Sequence, residues 1–144
     1  MPVSKKRKAP KRPARVPSKR YLLPMPRQEA DGLCLQTRLA LEAARSGRAA
    51  GREITVLAQA VLLTSFVTES GHGLLPLSLV RQVEEAVLAI LDAGKKSGGW
   101  SVNEEIIESL TVVVNEHDRQ LREVRISEIV SATERLDKMI LTAS

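Results

Sequence analysis

Aromatic side chains are almost missing from this chain of 144 residues: it holds one Phe, one Trp and one Tyr. Without several rings there is no platform on which bases stack, which excludes the RRM and OB-fold modes of single-strand recognition. A single cysteine, Cys34, excludes an internal disulfide and a cysteine-based zinc cage. Two histidines, His72 and His117, are too few for a histidine-rich metal site. No glycine-rich phosphate loop, Gly-x-Ser-x-Gly elbow or His-Glu-x-x-His occurs. No enzyme class is therefore indicated, and neither a metal nor a cofactor is expected. No apolar run reaches the ~18 residues of a membrane span. The longest, Ile54–Val67, is interrupted by Gln59, Thr64 and Ser65. Strand signals are also missing: there is no sustained alternation and no Asn-Gly or Asp-Gly turn.

What the chain does have is unevenly placed charge. Residues 1–27 carry ten Lys/Arg and no acid, whereas residues 28–144 carry the other twelve against all seventeen Asp/Glu. The first segment is thus +10 and the rest −5, which together give the net +5. Six of the seven prolines also fall in residues 1–27. Proline removes a backbone donor and fixes φ, so neither a helix nor a central strand crosses this segment. Crowded like charges keep it extended, and too few apolar groups offset the ordering entropy of about 1–2 kcal/mol per residue. The expectation is a disordered arm over residues 1–27, anchored by Tyr21-Leu22-Leu23, on an all-helical domain over 28–144. No 7–15-residue apolar stretch follows the basic run, so it is not a secretory leader. The prolines likewise bar the amphipathic helix of a mitochondrial presequence. The run Lys5–Lys8 has the composition of a nuclear import signal. A cytosolic, reducing location is expected, on the nucleoid if the host is bacterial.

Helical periodicity predicts four segments in the body. The first spans Leu33–Arg45, with Leu35, Leu39 and Ala43 on one side, Gly32 before it and Gly47 as a left-handed terminator. The second, Glu53–Glu69, is apolar on every side and so belongs at the centre of the core. The third, Leu77–Ala93, repeats Leu79, Val80, Val83, Val87, Ile90 and Leu91 at 3/4 spacing, and Lys95, Lys96 and Gly98-Gly99 close it. The fourth opens on Ser101 and Glu104, spaced as a capping box, and meets no Gly or Pro before Ser144. Some forty residues of helix would run about 60 Å, too long for a domain of this size. The apolar stripe also changes phase near Val124–Ser127. Two readings fit: a hinge there, or a C-terminal half that faces another partner. The second makes Ile126, Ile129, Val130, Leu136 and Ile140 a homodimer surface.

Isolated chemical signals have plain structural readings. Glu69-x-x-His72 has the spacing of a di-iron ligand pair, but that centre needs two such motifs and two further carboxylates, and Gly71 and Gly73 put His72 in a turn. His117 continues the Leu110–Leu121 stripe and reads as a buried structural histidine. Cys34, inside the first helix, reads as a small core residue, and Asp118–Arg122 as an i,i+4 pair. Trp100 is expected to dock the loop before Ser101.

The arm carries the functional signal. Lys5, Lys6, Arg7, Lys8, Lys11, Arg12, Arg15, Lys19 and Arg20 can follow phosphates with little geometric demand, which supplies affinity without sequence information. DNA is the first partner to consider, then RNA. An acidic protein, an anionic membrane surface or simple solubilisation fits the same charge. The body also resembles a group of small bacterial proteins from plasmids and mobile elements, many labelled Fis-family transcriptional regulators. The matching stretches are Leu39–Arg45 (LALEAAR), Leu62–Gly73 (LLTSFVTESGHG) and Asn115–Leu121 (NEHDRQL). The resemblance implies a bacterial host and an all-helical body. It implies no sequence-specific DNA reading, because no short turn after Ser101 makes a helix-turn-helix. The chain is thus expected to be an accessory or regulatory nucleic-acid-binding protein. Its rival is a helical interaction module whose arm only docks on an acidic partner.

Overall fold

The computed structural model of the chain describes residues 19–143. Among them are five α-helices and no β-strand: α1 (Arg27–Arg45), α2 (Gly51–Val67), α3 (Leu77–Ser97), α4 (Glu104–Glu123) and α5 (Ile126–Ala143). The all-helical class agrees with expectation, but the helix count is five rather than four. The cations Lys5, Lys6, Arg7, Lys8, Lys11, Arg12 and Arg15 lie outside the described residues.

α2 sits at the centre, as its all-round apolar surface requires. It packs on α1, α3, α4 and α5. With the π turn that extends it, Gly51–His72, it is the one described helix long and apolar enough to cross a membrane. More than half of its most apolar window is buried inside the bundle. Around one end of α2, Leu41, Leu57, Val80, Val87, Leu110 and Val114 form one apolar cluster. Around the other end, Leu62, Phe66, Leu121, Ile129 and Leu136 form a second.

Local signals set most helix ends. Gly47 takes φ of 75°, and the bonds Gly47 N to Ala44 O and Arg48 N to Ala43 O close α1 in a Schellman motif. Gly98, at φ 79°, terminates α3 behind Lys95 and Lys96. Prolines 26 and 76 stand directly before α1 and α3, where a missing N–H costs no helical bond. α4 departs from expectation: its cap is Asn103, whose Oδ1 accepts from the Ile106 N–H at 2.9 Å, and Ser101 is exposed in the preceding loop. Val102 and Ile107 then hold the staple positions and share the first cluster.

The forty-residue helical stretch breaks at Val124, where the backbone turns extended (φ −83°, ψ 141°). No Gly or Pro causes this. The Leu23 carbonyl captures the Ile126 N–H at 2.8 Å, and Pro24 and Arg125 form an antiparallel bridge. α5 then folds back onto α2 and places Ile129 and Leu136 in the second cluster. The hinge reading holds. The five-residue dimer stripe does not survive intact, because Ile129 and Leu136 are buried within the chain and Ile126 is half-buried.

α1 also turns differently from its leucine pattern. It starts at Arg27, so Gly32 lies inside it, and it buries Ala30, Cys34, Thr37, Ala40, Leu41, Ala43 and Ala44 while Leu35 and Leu39 face outward. Small residues on the inner face allow a close approach to α2 and α4.

Trp100 docks its loop as expected, on two glycines. A Cβ at Gly94 would lie 2.1 Å from its ring, and one at Gly51 would lie 3.0 Å from it. Gly94→Ala therefore gains helix propensity but forces the indole out of its seat. We expect a net loss of about 1–2 kcal/mol, read as a lower urea midpoint with the m-value unchanged. An unchanged or raised midpoint would show that the indole seat is slack.

Candidate functional site

The described part of the basic arm is its root. Lys19 and Arg20 lie in a 3-10 turn, Lys19–Leu22, and both are exposed. No described carboxylate forms an ion pair with either. Residues 19–27 run along the body, with the 3-10 turn against α5. The expected anchor Tyr21-Leu22-Leu23 holds through the Leu23 carbonyl rather than through its side chains, which are exposed, and the Met25 side chain packs on the second cluster. This root delivers the chain to the α4–α5 junction, beside the exposed Arg125.

The body's cations are largely spent on its own acids. Arg38 pairs with Asp118 at 2.7 Å, Arg122 with Asp31 at 2.7 Å and Arg119 with Glu116 at 2.9 Å. Arg81 and Arg135 share Glu69 at 2.6 and 3.2 Å, and Arg45 and Lys96 hold Glu42 and Asp92. Asp118 and Arg122 thus find partners on α1 rather than each other, as the i,i+4 spacing had suggested. Arg135 also lies 4.1 Å over the Phe66 ring, a cation–π contact. Glu69 is held below the usual carboxylate range, first by Arg135. Its motif partner His72 points elsewhere, with Nε2 3.6 Å from Glu128. Among the described residues no group of three or more His, Cys, Asp or Glu is placed to hold a metal.

Two buried polar groups on α4 stand out. The Glu116 carboxylate accepts both Arg119 Nε and Nη2 at 2.9 Å, the Leu74 N–H at 2.8 Å and the Gln120 amide at 3.1 Å. Gln120 also donates to Thr68, and Arg119 to the His72 carbonyl. Burial pushes the Glu116 carboxyl up, but these donors more than offset it and leave the group below its ordinary range. The cluster pins the π turn and the loop after it onto α4. Sequence spacing alone hides it, because three of its partners, Leu74, His72 and Thr68, lie more than forty residues away.

His117, only 5 % exposed, is neutral: burial, opposed by Asp118 and helped by Arg38, takes it from 6.5 down to about 4. Its Nδ1 and the Asp118 Oδ1 are both sealed and unpaired, 4.0 Å apart. Cys34 lies beside the same carboxylate. Burial first, then Asp118, pushes its thiol up to about 11, so it stays protonated and a poor nucleophile. The core reading of both residues agrees with their placement.

No family model, curated protein or solved structure matches the chain.

The lowered His117 value fixes the sign of a pH effect. Between pH 6.5 and about 4 the unfolded chain binds a proton that the folded one refuses. Stability therefore falls as the solution is acidified through that window. The Glu116 contribution is lost only lower, as pH drops below about 4.3. We expect His117→Phe to remove about 2–3 kcal/mol of the stability lost between pH 7 and 4.5, measured by urea unfolding. An undiminished pH slope in that variant would show that other groups carry it.

Proposed function

We propose that the chain is a non-enzymatic accessory or regulatory protein that binds nucleic acid electrostatically, DNA before RNA, through its N-terminal arm. The observation that carries this reading is the segregation of charge: ten cations without one acid in residues 1–27, ahead of a body of net −5. The ion pairs support it, because body arginines locked to body carboxylates offer little to an outside polyanion. Phosphate contacts fall to Lys5, Lys6, Arg7, Lys8, Lys11, Arg12, Arg15, Lys19 and Arg20. Such contacts position without reading bases.

If six of these cations each neutralise a phosphate, log K falls against log salt with a slope of about −5. The full-length variant with Lys5, Lys6, Arg7, Lys8, Lys11, Arg12, Arg15, Lys19 and Arg20 changed to Gln should show a slope near zero and weak binding to duplex DNA and RNA. Binding that survives the neutralised arm would place the polyanion site on the body. Capture by anionic vesicles but not by nucleic acid would replace this reading with a membrane-docking one.

Self-association through the end of α5 belongs to the same proposal. Met139, Ile140 and Leu141 are exposed there, Leu141 at 75 %. Sedimentation equilibrium should show a concentration-dependent dimer that Leu141→Glu weakens. A monomer at all concentrations would remove this part and leave the arm's role standing.

A further inference from the structure

α1 and α5 both pack on α2 but do not close on each other. Between them lies a groove of about 490 Å³, walled by Leu33, Val56, Leu63 and Val130, with His117 of α4 reaching its floor. That volume is in the range of small-molecule sites, which are apolar pockets carrying a few uncommitted polar groups. The groove has that composition. Its hydroxyls are already used: Thr37 donates to the Leu33 carbonyl and Thr133 to the Ile129 carbonyl within their own helices. The His117 ring is not. Nδ1 is sealed without a hydrogen-bond partner, and the ring lines the groove. A donor on a bound molecule would give the ring a hydrogen bond at Nε2 that the chain itself does not supply.

We propose that this groove is a binding site for a small, uncharged, largely apolar molecule carrying one hydroxyl or N–H donor, which it gives to His117 Nε2. The Asp118 Oδ1 beside Nδ1 favours the tautomer with its proton on Nδ1, leaving a lone pair on Nε2. A donor, rather than an acceptor, is therefore the matching group. Negative charge on the ligand is disfavoured by Glu134 at the lining and by a ring that stays neutral. The apolar walls disfavour any ion. Of the described residues before α1 only Met25 reaches the lining, and Lys19 and Arg20 do not.

The test uses the full-length protein and three probes of one shape: 4-ethylphenol, ethylbenzene and 4-ethylbenzoate. Titrations followed by 1H–15N NMR should give saturable shifts centred on Thr37, Gln59 and Thr133. The phenol should bind about tenfold more tightly than the hydrocarbon, and the carboxylate should bind least. On phenol binding the Nε2 nitrogen resonance of His117 should move, a readout that needs no variant. His117→Phe should keep ethylbenzene binding and lose the preference for the phenol, whereas His117→Gln, which retains an acceptor, should preserve part of it. The proposal is overturned by the absence of saturable shifts, by shifts mapping outside the groove, by an unmoved Nε2 resonance, or by a preference that survives His117→Phe.

Discussion

A helix with no polar side has nowhere to stand except inside other helices. α2 imposes that condition on the whole chain: α1, α3, α4 and α5 are each placed so that one of their faces lies on it. Every fully buried Leu or Val along α2, from Leu57 to Val67, would otherwise meet water, at a cost of roughly 1.5–3 kcal/mol per side chain. The break at Val124 follows from the same demand. A continuous helix would carry Ile129 and Leu136 away from α2 and leave Leu62 and Phe66 uncovered. Folding back costs one extended residue, and the strap at Leu23 satisfies the N–H that the break exposes.

Charge is arranged around that core in two ways that do not mix. On the body, guanidinium and carboxylate groups meet each other across helices: Arg38 reaches Asp118 and Arg122 reaches Asp31, so that α1 and α4 are laced together twice. Exposed pairs of this kind add little energy individually, but they neutralise the surface from which a polyanion would otherwise draw contacts. In the N-terminal segment no acid is present to do the same. This contrast supports the reading of the arm as the charged partner-binding element.

Much of this was legible in the residues, and the failures have identifiable causes. Gly47 and Gly98 announced two helix ends because only glycine takes a left-handed φ without strain. The central place of α2 was legible because its composition permits no other. The cap of α4 was misplaced because Ser101 and Asn103 are both good caps, and it is Asn103 that accepts the Ile106 N–H. Leu35 and Leu39 suggested the wrong face of α1, because side-chain size is a poor guide where close packing selects Ala30, Ala40 and Ala44. The stripe change at Val124 was visible, but its cause lies a hundred residues away at Leu23. The groove had no sequence signal at all: three helices must be placed before the space between them exists.

The two apolar clusters divide the molecule along α2. The first is built from α1 to α4, whereas α5 contributes only to the second and is otherwise held by the Leu23 bond at its start and by the Arg135 and Glu128 contacts to Glu69, Phe66 and His72. Such an arrangement sets an order of opening. Amide protons along α5 should exchange with deuterium through a sub-global fluctuation that leaves the four-helix remainder intact, while those at the middle of α2 wait for complete unfolding.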